Sequence, residues 1–333
     1  MQGICTLAND RVYDQVVALL NSIETNAPGT PVCIYPYNDQ IERISAEANR
    51  RDTVQIYSDQ DSITQWDTFV RKAWDSHPTA RDTWRKAGSE GYHRVGTHRR
   101  FCAFDGPFDQ FLYMDADTLL LDSPHKIWEC LANTDFVVYD FQFKQPKHVY
   151  DLSSSSLKQK LPEGYLATGI FCSGFYASHK GLFSPEKRND ILQALQSGDA
   201  EVLYPMAPDQ TLLNYMVMRC GLSFDNLSRS LPKSDITGNS VTSTHFEASH
   251  HALYDKGVRL LYVHYIGLSS QIFARVDAGD NIDFPYRDIF LHYRYLHEPN
   301  TQPNLLGKPT PYNQPANFMT RVLSKLSRLA LLN

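Results

Sequence analysis

Residues 111–122, FLYMDADTLLLD, decide how this chain is read: an apolar strand that ends in Asp115-Ala116-Asp117. A buried hydrophobic run has no structural need to finish in two carboxylates. Carboxylates two residues apart on an extended chain point the same way, so both can reach one divalent cation. Hard cations such as Mg²⁺ or Mn²⁺ take oxygen ligands, often one or two carboxylates together with substrate phosphates. An isolated D-x-D is more often a strand end followed by an Asp-rich turn. The surroundings of this one favour chemistry.

Upstream, the chain alternates strand and helix. Residues 4–8 read as a strand, and Asp10 is placed to cap a helix whose apolar positions Val12, Val16, Leu19, Leu20 and Ile23 recur at helical spacing. A turn at 26–30 leads to a strand at 31–37, a polar helix near 41–51 and a short strand at 53–57. Repeated βαβ units imply a parallel sheet covered by helices. In such sheets ligands bind beyond the carboxyl ends of the strands. Both Ala8-Asn9-Asp10 and Asp115-Ala116-Asp117 fall at such ends.

Downstream of a polar helical stretch over 62–104, strands are expected at 136–139, 169–177 and 259–264, and helices at 185–196 and 211–219. The segments 58–92, 141–168 and 228–256 carry no motif, and the choice of acceptor would rest on them. Residues 298–316, rich in Pro, Asn and Gln, read as a linker after a domain over 1–297. Residues 317–333 then form an amphipathic pattern, with Phe318, Val322, Leu326 and Leu329 on one side and Arg321, Lys325 and Arg328 on the other. Such a helix either lies in an anionic membrane interface or docks on protein.

The chain has 333 residues, 42% hydrophobic and 21% charged, with net charge −5. That balance suits a globular protein and argues against a general nucleic-acid binder, which needs a strongly basic surface. The cysteines (5, 33, 102, 130, 172, 220) are scattered and mostly within apolar runs, without a C-x-x-C pair. They read as buried, reduced thiols rather than disulfides or a zinc site. A first strand close to Met1 and no long apolar run lead to an expectation of cytoplasmic residence, peripheral at the inner face of the membrane if the C-terminal helix binds lipid.

Together these features resemble glycosyltransferases of the GT-A fold, particularly family 8, the retaining group that includes glycogenin and lipopolysaccharide galactosyltransferases. The resemblance covers roughly residues 3–270 and implies an α/β, Rossmann-like mixed sheet with helices on both faces. ICTLANDRVY is similar to the family's opening strand and turn, which implies Thr6, Ala8 and Asp10 at the nucleotide. FLYMDADTLLLDSP is similar to its metal strand, implying Asp115 and Asp117 on Mn²⁺ or Mg²⁺ with Ala116 at the donor. GIFCSGFYAS implies Ser173 and Gly174 against the donor sugar, and MAPDQTLLN implies Asp209 and Gln210 beside the anomeric carbon. VHYIG is similar to the family's H-x-x-G, implying His264 as third metal ligand and Gly267 at the phosphates. Of the pair Arg99-Arg100, Arg99 is taken as the donor contact. The implied activity is transfer of a hexose from a nucleotide-diphosphate sugar, uridine-based by preference, to an unidentified glycan, lipid or protein acceptor.

One departure stands out. The family continues H-x-x-G-x-x-K-P-W, whereas this chain reads HYIGLSSQIF, with Ser270 at the Lys position and Arg275 the nearest replacement. Two other readings compete. MDADTLLL also fits a haloacid-dehalogenase-type phosphatase with Asp115 as nucleophile, but the second acidic pair it needs, Asp280 and Asp283, follows polar residues. A GT-A-like domain that binds sugar nucleotides without turnover is the other.

Overall fold

The computed structural model describes residues 1–313. Its strands include β1 (Gln2–Ala8), β2 (Val32–Pro36), β3 (Val54–Ile56), β4 (Gln110–Met114), β5 (Thr118–Leu120), β6 (Phe136–Val138), β7 (Phe175–His179) and β8 (Phe224–Asn226). Seven of these form one sheet in the order β3-β2-β1-β4-β7-β6-β8. β1 to β4 run parallel, as the βαβ pattern requires, while β7 runs antiparallel to both β4 and β6. The sheet is therefore mixed.

Side-chain alternation splits the core into two layers. Phe111 and Tyr113 of β4 join Trp66, Trp74, Phe101 and Phe104 on one face. Leu112 and Met114 meet Val16, Leu19, Leu20 and Ile23 of the helix Tyr13–Asn26 on the other. A third apolar cluster, built on Leu121, Val263, Tyr265, Phe273 and Phe290, packs the C-terminal part beside them. No helix among the described residues is long and apolar enough to cross a membrane. All six cysteines are free, with Cys130, Cys172 and Cys220 only half-buried.

Three local expectations change. The stretch 169–177 becomes a strand only at Phe175, because side chains pair the backbone before it: Asn214 bonds both the N–H and the carbonyl of Phe171, and Asp140 accepts from Cys172 N. The strand expected over 259–264 is split. Val258–Arg259 closes a hairpin on Ala252–Asp255, whereas Tyr262–His264 pairs antiparallel with β5. At the N-terminus, Asn9 caps the turn that follows β1 by accepting from Arg11 N (3.2 Å). Asp10 instead reaches the separate helix Glu42–Ala48 and accepts from Ile44 N (3.1 Å).

Residues 298–313 return to the domain, where Thr310–Pro311 pairs with Ile282–Asp283. The basic amphipathic helix expected at 317–333 lies outside the described residues.

Candidate active site

The end of β4 builds the centre of the site. After Met114 the chain turns sharply, held by Thr118, whose N–H and hydroxyl both donate to the Asp115 carbonyl (3.0 and 2.7 Å). The turn feeds β5, whose register sets His264 opposite Thr118, and Tyr265 N donates to the Asp117 carbonyl (2.8 Å). This pairing delivers a residue almost 150 positions downstream to the DxD turn. Ligand atoms of Asp115, Asp117 and His264 all lie within 4.8 Å of one another, with His264 Nε2 3.2 Å from Asp117 Oδ1.

The donor set fits a divalent cation. Two carboxylates and a neutral imidazole carry a charge of about −2 and combine hard oxygen with borderline nitrogen donors. The titration of the cluster shows the same demand for positive charge at its centre. Burial alone would lower the His264 imidazole, but Asp117 drives it well above its usual range. Burial likewise pushes Asp117 up, and His264 more than offsets it. Gly174 leaves the cluster room: a Cβ there would stand 2.6 Å from His264 Cε1 and 2.9 Å from Asp115 Oδ2. Its carbonyl accepts from Asp115 N (2.8 Å).

Arg100 ties this centre to the second half of the site. Its Nη2 lies 3.1 Å from both Asp115 Oδ1 and Asp209 Oδ2, its Nη1 donates to Ser173 O (2.8 Å) and Oγ (3.1 Å), and its Nε donates to Thr97 O (3.0 Å). The Tyr113 hydroxyl donates to Asp115 Oδ1 (2.9 Å). Arg100 is only 3% exposed and each of its guanidinium nitrogens has a partner, while Asp115 keeps an edge in the open cleft. Burial would raise the Asp209 carboxyl, but Arg100, helped by His98 and Arg94, holds it at about 2. Burial dominates at Asp115 and keeps that carboxyl raised despite Arg100.

Asp209 and Gln210 open the helix Pro208–Arg219. Ser173 Oγ donates to Asp209 Oδ2 (3.3 Å), and Gln210 Oε1 accepts from Ser173 N (3.2 Å). Ser173, Gly174, Asp209, Gln210, Asp115, Asp117 and His264 therefore form one connected group.

The carboxylates of Asp115 and Asp117 line a cleft of ≈ 340 Å³, together with Ala8, Asn9, Arg11, Ala116 and Ser270. It sits at the carboxyl ends of β1 and β4, where a parallel sheet binds ligands. A larger cavity, ≈ 460 Å³, lies at the amino ends of β2 and β3. Arg51 there is paired with Glu47 (2.7 Å) and Glu24 (3.3 Å), and Asp115, Asp117 and His264 do not line it.

Several anticipated residues fall elsewhere. Thr6 is fully buried on the face of β1 that Ile4 and Ala8 share, does not line the cleft, and its hydroxyl has no hydrogen-bond partner. Asp10 is spent on the helix Glu42–Ala48, so Asn9 lines the cleft in its place. Arg99 pairs with Asp67 (3.1 Å) outside the cleft, and Arg100 is the arginine at the carboxylates. Gly267 has φ +85°, which fits the turn before the helix Ser270–Asp277, but it does not line the cleft. Arg275 is exposed and bonded to Asp280 (2.6 Å). Arg11, Tyr37, Arg94 and Thr97 line the cleft without having been singled out in the sequence. Adjacency to the N-D turn was the available signal for Arg11; nothing local marked the others.

No family model matches the chain, and no curated protein matches it in sequence. Solved structures do match. The galactosyltransferase LgtC, in complex with donor and acceptor sugar analogs, superposes with a TM-score of 0.51 at 16% identity, over 83% of this chain and 94% of that one. The apo bifunctional glycosyltransferase WbbM superposes with a TM-score of 0.53 at 12% identity, over 90% of this chain and 51% of that one. At such identities the likeness is one of fold. The chain has the GT-A fold, and it resembles family 8 within it.

Proposed function

We propose that this chain is a metal-dependent glycosyltransferase that moves a hexose from a UDP-sugar to an acceptor with retention of configuration. The observation that carries the reading is the convergence of Asp115, Asp117 and His264, the two carboxylates lining a cleft beyond β1 and β4 and the imidazole buried behind Asp117. Bound there, Mn²⁺ or Mg²⁺ would neutralise charge growing on a diphosphate leaving group. Ala8, Asn9 and Ala116 give the nucleoside a close backbone approach. Arg11, exposed in the same cleft and without an ion-pair partner among the described residues, is free to meet the diphosphate where the family's Lys is replaced by Ser270.

Asp209 is anionic at every physiological pH. It therefore acts on the transferring sugar by charge and position, not as a general acid. Gln210 and Ser173 fix its orientation. With Asp115 committed to the cation, no further carboxylate bonds to this group among the described residues. The arrangement favours displacement on one face, with a leaving-group oxygen taking the acceptor proton.

The non-catalytic alternative draws on Ser270 alone. The phosphatase alternative lacks its second acidic pair at the site, since Asp280 is held by Arg275 and the metal-ligating cluster among the described residues contains neither Asp280 nor Asp283. Free thiols support work in a reducing compartment such as the cytoplasm, and residues 317–333 are proposed as a peripheral membrane contact. Cell fractionation with and without them tests that contact.

The function itself is tested by release of UDP from a panel of UDP-hexoses with Mn²⁺, using wild type, wild type with chelator, and Asp209→Asn. Release from one donor that both chelator and Asp209→Asn suppress supports the transferase. Binding of a UDP-sugar with no release under any acceptor extract supports the non-catalytic reading.

A further inference from the structure

Across Tyr37 and Arg94 from the donor cleft lies a second cavity of ≈ 250 Å³. Three guanidinium groups line it, those of Arg71, Arg94 and Arg99, against the single carboxylate of Asp67. Arg99 takes that carboxylate (3.1 Å). Neither Arg71 nor Arg94 has an ion-pair partner among the described residues. Asp75, the other acid near Arg71, is engaged by Arg81 (2.7 Å) and the Tyr92 hydroxyl (2.8 Å). Arg71 lies over the Tyr92 ring, 4.8 Å from its centroid, which braces the guanidinium without neutralising it. In a chain of net charge −5, an arginine surplus lining one cavity is a local construction.

The backbone is built to hold it there. Arg94 has φ +48°, a left-handed conformation that costs a non-glycine residue energy and tends to persist where function requires it. Thr97 fixes it by donating through its N–H (2.9 Å) and hydroxyl (2.7 Å) to the Arg94 carbonyl. Gly96 presses against Tyr37, and an added Cβ there would collide with the Tyr37 carbonyl oxygen. Arg94 thus stands in the wall shared by the two cavities, and its charge is felt at Asp209.

We propose that this pocket receives a phosphate or carboxylate group carried by the acceptor, so that the chain glycosylates an anionic acceptor. The assignment rests on the transferase reading above. A donor's own phosphates are provided for on the metal side, by Arg11 and the carboxylate cluster. The arginine pocket lies on the other side of Arg94, the residue that lines both cavities. Oriented guanidinium groups suit tetrahedral and planar oxyanions alike.

The test uses the full chain saturated with UDP and Mn²⁺, titrated calorimetrically with inorganic phosphate, glucuronate and glucose. Wild type should bind at least one of the two anions and not glucose, and the preferred anion identifies phosphate or carboxylate. Arg71→Gln and Arg94→Gly should each weaken that binding about tenfold or more, with Arg71→Lys recovering part of it. Arg94→Gly relieves the left-handed backbone, so lost stability cannot account for its effect. In the UDP-release assay, a sugar bearing the preferred anion should exceed its neutral parent in kcat/KM, and Arg71→Gln should erase the difference. No anion binding, or binding unchanged in Arg71→Gln, overturns the pocket. Anion binding that persists while UDP and metal fail to bind would overturn the transferase reading and leave the pocket as an anion site.

Discussion

Arg100 Nη2 lies 3.1 Å from Asp115 Oδ1, a contact that joins the DxD turn to the residues expected at the sugar. The same nitrogen holds Asp209 at 3.1 Å. Removing the guanidinium strands the buried Asp209 carboxylate, and breaking a buried pair in this way costs about 3–5 kcal/mol, whereas Asp115, a quarter exposed in the cleft, loses less. Arg100→Met should therefore lower stability by that order in urea melts and abolish UDP release. A variant of wild-type stability would mean that the two carboxylates are solvated or protonated without Arg100.

Gly174 should be as intolerant as the ligands. Its absent Cβ leaves the space between His264 and Asp115, and disturbing the groups that orient metal ligands typically costs about 10–100-fold in metal affinity. Gly174→Ala should show a loss of that size in Mn²⁺ titrations while remaining folded. Undiminished Mn²⁺ affinity would show that the cation is held elsewhere.

Arg11 is expected to carry the diphosphate contact that Ser270 does not provide. Arg11→Ala should weaken UDP binding by about 1.5–3 kcal/mol, the range for a hydrogen bond to a charged group, and leave UMP binding less affected. Restoring a lysine with Ser270→Lys should recover part of the loss. Equal binding of UDP by Arg11→Ala and wild type would exclude the contact.

His77 gives the fold a pH dependence remote from the site. Its Nδ1 accepts from Thr79 N (3.1 Å) and Ala80 N (3.0 Å), so Nε2 carries the proton toward Leu203 O (3.0 Å). Burial lowers its affinity for a second proton, against smaller opposing effects from the Leu203 carbonyl, Asp151 and Glu201. The unfolded histidine, at about 6.5, binds protons more readily. The contribution to stability is therefore complete above about pH 6.5 and is lost as pH falls toward the folded value, with a slope approaching about 1.4 kcal/mol per pH unit. Urea melts at pH 7.5 and 5.5 should show a smaller drop for His77→Gln than for wild type. Equal drops would mean that His77 titrates normally in the fold.

The sheet and its DxD turn are legible in the sequence because periodicity and strand-end position are local signals. Asp115 and Asp117 advertise themselves as charges closing an apolar run. His264 was legible only through its H-x-x-G context, since its approach to Asp117 depends on the antiparallel pairing of Tyr262–His264 with β5. Arg100 and Arg99 could not be told apart in sequence. One peptide step on the turn Val95–Phe104 sends Arg100 into the core and Arg99 to Asp67. Asp10 misled for a related reason: its cap goes to a helix more than thirty residues away, not to the one that follows it. Residues 169–177 do not form one strand because side chains of Asn214 and Asp140, invisible to periodicity, satisfy that backbone.

The most direct measurement is calorimetric titration of UDP with Mn²⁺, with Mg²⁺ and with chelator, on wild type and Asp117→Ala. Metal-dependent binding that Asp117→Ala abolishes is the result predicted by a cation held between Asp115, Asp117 and His264 in the donor cleft. UDP binding that is indifferent to chelator and to Asp117→Ala, or absent under every metal, would contradict it.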